Sequence, residues 1–300
     1  MRNAVWVVLI AVACTGDLDK KVEKLEGKVS DLETQRDKLT KQIADLDKKL
    51  TQTRDVDRKV DDLLRQQQRT MDDVGRAAIA AQRARAEPDR TKVYAIPVGD
   101  APQDGPSDAK VTMIEAYEYA CPYCEKTRPV LTELRRKYGN DLRIVYQSFV
   151  VHPTIATAPA YAACAANKQR KFARMHELLW DKGFKDRQFD QSGCWTASDG
   201  CPIVVGFARQ AGLDTRRFRD DMRRCELEVG DQLRTLQGFG VGATPSFFIN
   251  GRYMSGAMPI ETFSALIDEE LVKANDRIAS GTPRGQYYQK WVMETGLTKL

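Results

Sequence analysis

The sequence predicts an α/β domain preceded by a long coiled-coil α-helix, and three observations predict it. A C-x-x-C motif joins a β-type run to an amphipathic helix. A second β-type run ends at an Asn-Gly turn, and ahead of both runs leucines recur every seven residues. The chain of 300 residues is long enough for about two such parts at ~150 residues each.

Composition argues against several classes of protein. Basic and acidic residues number 47 and 42 and leave a net charge of +5, spread without a block of like charges, so we expect no nucleic-acid partner. No apolar run approaches the ~18 residues that span a bilayer, which excludes a polytopic membrane protein. The 7 cysteines are many for a reduced cytosolic protein and indicate an oxidising compartment.

The first residues resemble a bacterial lipoprotein signal. A basic start and a short apolar stretch lead through small residues to Cys14. The resemblance implies a signal peptide over residues 1–13, lipid attachment to Cys14, and a lipid-anchored protein of the bacterial cell envelope that faces the periplasm. Thr15 favours the outer membrane. An ordinary signal peptide is the alternative.

Residues 14–87 are predicted to form a lipid anchor and coiled-coil stalk. From residue 17 onward this stretch has no aromatic residue and no proline, so it cannot fill a globular core. Its apolar residues repeat every ~3.5 residues, which is typical of a left-handed coiled coil. Leucines occupy the d positions and mostly β-branched residues the a positions: Leu18, Leu25, Leu32, Leu39 and Leu46 at d, and Val22, Val29, Ile43 and Leu50 at a.

The charges beside this apolar repeat favour parallel strands. Lys21 at a g position faces Glu26 at the e position of a parallel neighbour, and Lys28 faces Glu33 in the same way. We expect a parallel homodimer, because β-branched a residues over leucine d residues favour two strands, with a homotrimer as the alternative. After Leu50 the register slips, as in a stammer. A solvated single helix or charged linker is the other interpretation.

The C-x-x-C motif has a direct chemical meaning at the start of a helix. In Cys121-Pro122-Tyr123-Cys124 the first cysteine stands at the helix N-terminus, where unpaired N–H groups and the dipole stabilise a thiolate. Pro122 suits a first-turn position, and Cys124 is close enough to form a disulfide with Cys121. Structural zinc uses the same spacing, but the sequence offers no second ligand pair at a suitable spacing, so we expect no metal.

A second motif precedes the other β-type run. Thr244-Pro245 opens a buried-looking strand, and Asn250-Gly251 supplies a hairpin turn to a return strand. Proline is tolerated at the first position of a strand, and a cis peptide there is a deliberate feature. A mostly helical stretch separates the early strands from this motif.

Together the motifs resemble a DsbA-family thiol:disulfide oxidoreductase, a thioredoxin fold with a helical insertion. Glu115, the C-x-x-C motif and Gly242-Ala243-Thr244-Pro245 stand in the family's order and spacing. The resemblance implies a linker at residues 88–108 and a DsbA-like thioredoxin domain at 109–275. The helical insertion of that domain is expected at about 152–240, and a C-terminal helical tail at 276–300. Residues 282–300 are predicted to form a short amphipathic helix that caps the domain or contacts a partner.

The resemblance also implies the roles of the site residues. Cys121 is the exposed nucleophile, and Cys124 is the buried resolving cysteine. Glu115 matches a buried acid that exchanges a proton with Cys124 through water; a surface carboxylate at the strand end is the alternative. No cofactor is needed beyond the redox-active disulfide of the two cysteines.

The substrate-binding residues implied by the resemblance are Thr244, Pro245, Pro122 and Tyr123. The backbone of the Thr244–Pro245 loop pairs with an extended substrate peptide. Tyr123 stands where strongly oxidising members have histidine, and Thr244 is similar to the residue of isomerase and reductase members. Both departures favour isomerase or reductase character over that of an oxidase.

The remaining cysteines are expected to form structural disulfides. Cys164, Cys194, Cys201 and Cys225 allow three connectivities. Cys194 and Cys201 bracket a short loop, whereas related proteins carry a helix–helix bridge similar to a Cys164–Cys225 pair. A second redox centre at Cys194 and Cys201 is the alternative.

The two histidines are expected to be structural. His152 follows a strand, and a satisfied loop histidine is favoured there over a position in the substrate groove. His176 is predicted to pack on a helix, together with Trp180.

The function predicted from these motifs is exchange of disulfides with cysteine-containing exported proteins through Cys121 and Cys124. A membrane redox partner is expected to reoxidise or reduce the pair, and the lipid bilayer is expected to hold the chain through Cys14. The alternatives are a DsbA-type oxidase and a structural lipoprotein whose head binds clients without catalysis.

Overall fold

The computed structural model describes most of the chain beyond its first residues: 20–28, 30–52, 55–56, 59–60, 62–63, 66, 87–191 and 202–300. The chain divides into two units, Met1–Ala80 and Ala81–Leu300. The predictions made for Cys14, Cys194 and Cys201 lie outside the described residues.

The described part of the first unit is helical. Residues 20–28 and 30–52 form helix, and their side chains are exposed to solvent. The predicted helix is confirmed over these stretches, whereas the coiled coil stays a prediction. None of the described helices combines the length and the hydrophobicity that crossing a bilayer requires.

A mixed sheet of 5 strands organises the second unit. The strands are β1 (Gln103–Asp104), β2 (Val111–Tyr117), β3 (Leu142–Ser148), β4 (Ser246–Ile249) and β5 (Arg252–Ser255). They lie side by side in the order β1-β3-β2-β4-β5. β2 and β3 run parallel, whereas the other neighbouring pairs are antiparallel. The centre of the sheet is therefore β2, the strand that leads to the cysteine pair.

Helices connect and cover these strands. They are α1 (Pro122–Tyr138), α2 (Pro153–Lys168), α3 (Phe172–Leu178), α4 (Pro202–Gln210), α5 (Thr215–Gly238) and α6 (Ile260–Ala279). Because α1 joins two parallel strands, it crosses one face of the sheet. Helices α2 to α5 lie between β3 and β4 in the chain, and their core contains Trp180 together with Tyr117 and the two cysteines of the motif.

The alternation of side chains along β2 sets the position of Glu115. Val111 and Met113 belong to the core that includes residues of α1 and α6, whereas Ile114 and Ala116 belong to the core on the opposite face. Successive residues of a strand point to opposite faces. Glu115 therefore lies on the face that α1 covers.

The predicted hairpin turn lies between β4 and β5. Asn250 and Gly251 have positive φ angles of 43° and 82°, as a tight hairpin turn requires. The Asn250 side chain accepts a hydrogen bond from the Thr112 N–H at 2.9 Å and donates one to the Lys110 carbonyl at 3.1 Å. These bonds tie the turn to the start of β2 and so help to hold β4 in register beside it.

The C-terminal tail is helical over part of the predicted amphipathic helix, and Tyr288 and Val292 are buried there. Beyond α6 it forms two short turns, Arg284–Gln286 and Gln289–Met293, and Leu297 then pairs through its backbone with Tyr94. After these turns Gly296 lies close to other backbone: a Cβ there would be 2.9 Å from the Ala95 nitrogen.

A disulfide joins the two longest helices of the insertion. Cys164 of α2 and Cys225 of α5 are bonded, at a sequence separation of 61. Among the described residues the free cysteines are Cys121 and Cys124. Of the connectivities that the sequence left open, the structure contains the one that links α2 to α5.

Candidate active site

The cysteine pair lies where β2 passes into α1. Cys121 caps the N-terminus of α1, and its Sγ accepts a hydrogen bond from the backbone N–H of Cys124 at 3.4 Å. Pro122 occupies the first turn, where its missing N–H leaves no helical hydrogen bond unmade. The helix N-terminus therefore presents N–H groups and the positive end of its dipole to the Cys121 sulfur.

The loop before β4 contacts the same sulfur. The Thr244–Pro245 peptide bond is cis, and the Thr244 carbonyl lies 3.3 Å from the Cys121 sulfur, where it accepts a hydrogen bond when Cys121 is protonated. β4 begins at Ser246, which pairs with Ala116 of β2. The register of these two strands thus brings the loop to the cysteine pair.

Both cysteines are less accessible than the sequence predicts. Cys121 is 5% exposed and Cys124 is 1% exposed. The expectation of an exposed Cys121 is wrong, because the Thr244 carbonyl and the first turn of α1 enclose its sulfur. The chemical difference between the two cysteines comes from hydrogen bonding and charge more than from exposure.

The two thiols differ in acidity. The pKa of Cys121 is lowered to about 6, and the largest cause is a hydrogen bond from Cys124. Hydrogen bonds from the Thr244 side chain and from backbone N–H groups lower this pKa further, whereas burial raises it. Burial is the main cause that raises the pKa of Cys124 well above its usual 9.0. The hydrogen bond with Cys121 and the charges of Glu115 and Cys121 raise the pKa of Cys124 further. Near neutral pH, Cys121 is therefore a thiolate and Cys124 a thiol.

Glu115 is a buried acid beside this pair. It is 3% exposed and lies between Tyr146 of β3 and Phe247 of β4, so the alternative of a surface carboxylate is wrong. Burial is the main cause that raises the pKa of Glu115 to about 8, and the charge of Cys121 is the second cause. The charge of Arg128 acts in the opposite direction and lowers this pKa.

A cavity of about 520 Å³ links these groups to the helical insertion. Glu115, Cys124 and Arg128 line it together with aromatic side chains from both parts of the domain, which are Tyr117, Tyr146, Phe172, His176 and Trp180. A cavity of this volume with polar groups in its wall is large enough for water. Glu115 and Cys124 therefore face one space that water can enter.

Arg128 supplies a positive charge in the wall of this cavity, which Arg170 also lines. It lies on α1, four residues after Cys124, and its guanidinium bonds to Asp181 at 2.9 Å. The guanidinium carbon also lies 5.8 Å from the centre of the Trp180 ring. Asp181 and Trp180 follow α3, so the helical insertion holds this cation. Sequence analysis missed Arg128, because its position one turn beyond the C-x-x-C motif does not reveal which group it faces.

A hydrogen-bonded chain of rings closes another wall of the cavity. The Tyr117 hydroxyl donates to the Tyr119 hydroxyl at 3.2 Å, and the Tyr119 hydroxyl lies 2.8 Å from Nδ1 of His176. Burial lowers the pKa of His176 to about 3, with Arg128 contributing, so the imidazole that bonds to Tyr119 is neutral. His176 packs as predicted. Its contact with Tyr119 also ties helix α3 to the loop that carries Cys121.

Glu118 makes a second connection between this loop and the insertion. Its buried carboxylate accepts hydrogen bonds from the backbone N–H groups of Val151 at 2.7 Å and His152 at 2.9 Å, just before α2. The His152 ring pairs with the same carboxylate. His152 is thus a loop histidine whose hydrogen bonding is satisfied, as the sequence favoured. The C-x-x-C motif gave no indication of the contacts that Glu118 makes.

Among the described residues, one group resembles a set of metal ligands. Cys164, Cys225 and Glu228 bring their ligand atoms within 4.8 Å of one another. Both sulfurs belong to the disulfide between α2 and α5, so they do not offer thiolate ligands in this state.

Known sequences and structures resemble this domain. The thioredoxin family matches residues 99–269. The structure of oxidised BdbD from Bacillus subtilis has a TM-score of 0.51 at 18% identity, over 62% of this chain and 99% of that chain. A structure of α-DsbA1 from Wolbachia pipientis also has a TM-score of 0.51 at 18% identity, over 61% of this chain and 96% of that chain. The predicted thioredoxin-like α/β fold is confirmed.

Curated relatives overturn one prediction. A Na(+)/H(+) antiporter NhaA 1 from Salinispora arenicola is 33% identical over 168 residues, which cover 54% of this chain and 24% of that protein. The chain spans about a quarter of the length of the curated relatives it matches. The prediction of a lipid-anchored location in the cell envelope, facing the periplasm, is wrong, because these curated relatives are Na(+)/H(+) antiporters. A short apolar stretch ending in a cysteine is too little pattern to establish a location.

Replacing Arg128 by glutamine should raise the pKa of Glu115 above its present value of about 8, because the cation that favours the carboxylate is lost. In the reduced protein the pH titration of the Glu115 carboxyl stretch in the infrared, assigned by its loss in Glu115→Gln, measures this shift. Arg128→Lys keeps the charge and should titrate close to the parent. An unchanged midpoint in Arg128→Gln would remove Arg128 from the account.

Proposed function

The chain belongs to the thioredoxin family, which matches residues 99–269, and we propose that it is a thiol:disulfide oxidoreductase that acts on cysteine-containing proteins. The observation that carries the proposal is the unequal acidity of Cys121 and Cys124. A thiolate is the attacking species in disulfide exchange, whereas a thiol is inert. A purely structural cysteine pair has no need of that difference.

The first step is attack by the Cys121 thiolate on a substrate disulfide. A bond forms between the Cys121 sulfur and one substrate sulfur, and the substrate S–S bond breaks. The other substrate sulfur leaves as a thiolate and takes a proton from solvent. With a pKa of about 6, Cys121 is ionised at neutral pH and needs no base for this step.

The second step needs a base, because Cys124 is protonated. In the mixed disulfide the Cys121 sulfur no longer carries a charge, so one cause that raises the pKa values of both Glu115 and Cys124 is removed. Glu115 then releases its own proton to solvent, and the resulting carboxylate accepts the Cys124 proton through the cavity. The Cys124 thiolate attacks the Cys121 sulfur and releases the substrate thiolate. The protein is left with a Cys121–Cys124 disulfide, and the substrate has gained two electrons.

The same steps run in reverse when the protein oxidises a substrate. A substrate thiolate then attacks the Cys121–Cys124 disulfide, and the substrate leaves with a disulfide of its own. Turnover in either direction requires a redox partner that returns the cysteine pair to its starting state. No organic cofactor takes part in the proposed exchange.

The substrate is proposed to bind across the Thr244–Pro245 loop and the first turn of α1. The Thr244 carbonyl already contacts Cys121, so an extended peptide that pairs with this loop brings its own sulfur to the nucleophile. Tyr123 is 59% exposed beside the pair, and the Lys126 ammonium lies 5.4 Å from its ring centre. Together Tyr123 and Lys126 provide an aromatic and cationic surface for the peptide.

Within this reaction class we favour isomerase or reductase character. Tyr123 stands where the strongly oxidising relatives have histidine, so a cationic stabiliser of the thiolate is missing at that position. An oxidase that donates disulfides is the second candidate. It is favoured by the pKa of Cys121, because a stable thiolate stabilises the reduced form of the pair. Refolding of a substrate with scrambled disulfides, compared with oxidation of a reduced substrate, separates the two.

Replacing Cys121 by serine should abolish exchange with a disulfide-bonded substrate, because the nucleophilic sulfur is lost. Cys124→Ala is the matched variant: it keeps the attacking cysteine and should accumulate a mixed disulfide that non-reducing electrophoresis detects. Exchange that persists at the parental rate in Cys121→Ser would show that the proposed reaction is wrong.

Replacing Glu115 by glutamine should slow the second step by roughly 100-fold, the lower end of what general acid–base catalysis contributes. The first attack should stay nearly unchanged, because the Glu115 carboxyl is already neutral below its pKa of about 8. Stopped-flow measurement of mixed-disulfide formation and decay separates the steps. Equal decay rates in Glu115→Gln and the parent would exclude Glu115 as the base.

A further inference from the structure

The N-terminal helical stretches carry an apolar stripe that no described residue covers. Its members are aliphatic residues at the a and d positions of the heptad repeat, between 46% and 63% exposed. They are Val22, Leu25, Leu32, Leu39, Ile43, Leu46 and Leu50. A stripe of large aliphatic side chains with this spacing is the seam of a coiled coil, in which each residue fits between four residues of a facing helix.

The charges that flank the stripe divide by side. The e positions carry acidic or neutral residues, and none of them is basic: Asp19, Glu26, Glu33, Thr40 and Asp47. The g positions carry basic or neutral residues, and none of them is acidic: Lys21, Lys28, Gln35, Gln42 and Lys49. One edge of the seam is therefore negative, and the other edge is positive.

This division selects the orientation of the partner. In a parallel pair of identical helices, each g position faces an e position of the other chain, so Lys21 meets Glu26 and Lys28 meets Glu33 on both sides of the seam. In an antiparallel pair, g faces g and e faces e, which brings lysines together on one side and carboxylates on the other. The flanking charges of this helix therefore match those of a second copy of this chain in parallel orientation.

We infer that residues 20–50 form a parallel homodimer with the same residues of a second copy of this chain. The inference is independent of the proposed chemistry, because it rests on the first unit alone. The seam is self-complementary, so no other protein is required to cover it. Lys49 would face Arg54 of the second copy, a like-charge pair that ends the matched stretch near residue 50.

Arg36 favours two strands over three. It is the charged residue at an a position of the seam, and its side chain bonds to Asp37 on the outer surface at 2.8 Å. In a dimer an a-position side chain reaches the edge of the seam, so Arg36 keeps both water and its carboxylate. A third helix would enclose it. A polar a residue specifies the oligomeric state in this way at some cost in stability.

The dimer holds two cysteine pairs on one assembly. A substrate bound through a mixed disulfide at one Cys121 then has a second active site in the same assembly. Re-pairing of non-native disulfides benefits from such tethering, because attack, holding and release then occur without a new encounter.

Charge reversal along the seam tests the dimer in the full chain. Light scattering should give twice the chain mass for the parent. Reversing the acidic e residues that face lysines (Glu26→Lys and Glu33→Lys) should halve that mass, as should reversing their basic g partners (Lys21→Glu and Lys28→Glu). An equal mixture of the two variants should recover the twofold mass, because opposite charges again face each other.

The matched control reverses the same number of charges away from the seam. Glu23→Lys and Asp31→Lys lie at b and c positions, give the same change in net charge as the e variant, and should leave the twofold mass intact. A parent of single-chain mass overturns the proposal, and so does a control that dissociates with the e variant. A threefold mass for the parent overturns the dimer.

A cross-link tests the parallel orientation. In a Cys121→Ser, Cys124→Ser background, Leu25→Cys places two d-position thiols face to face only when the helices are parallel. Mild oxidation should join them, and peptide mapping should find the two introduced thiols bonded to each other. Lys24→Cys points away from the seam and should give no such product. A dimer that forms without this cross-link is antiparallel and contradicts the inference.

Discussion

Three ionisable groups share one small region, and the protein interior cannot hold a negative charge on all of them. Cys121 takes the charge because it caps α1 and receives hydrogen bonds from the first turn, which lower its pKa to about 6. Glu115 and Cys124 are more deeply buried, so their neutral forms are favoured. The sheet imposes this arrangement, since β2 delivers both Glu115 and the cysteine motif to the face beneath α1.

The sharing of one charge couples the two steps of the proposed exchange. While Cys121 is a thiolate, its charge raises the pKa values of Glu115 and Cys124 and keeps the resolving thiol unreactive. Formation of the mixed disulfide removes that charge, and the base and the thiol beside it then become easier to ionise. Arg128 remains in the cavity wall, held by Asp181, and favours the Glu115 carboxylate at that stage.

Local chemistry made part of this site predictable from sequence. A C-x-x-C motif at a helix start and an Asn-Gly turn each determine their own backbone, and the structure contains both as expected. The anchoring contacts were not predictable, because they join residues that are distant in sequence. Tyr119 meets His176 57 residues later, and Glu118 meets His152 34 residues later. Both contacts depend on how the insertion packs against the loop before Cys121, and no local periodicity encodes that packing.

The pH dependence of cysteine alkylation tests the account most directly. In the reduced protein, iodoacetamide labelling followed by mass spectrometry reports the thiolate fraction of Cys121 and of Cys124 separately. The account predicts that Cys121 is labelled with a midpoint at pH of about 6, while Cys124 stays protected. Labelling of both cysteines at equal rates, with a common midpoint near the ordinary thiol pKa of 9.0, would contradict it.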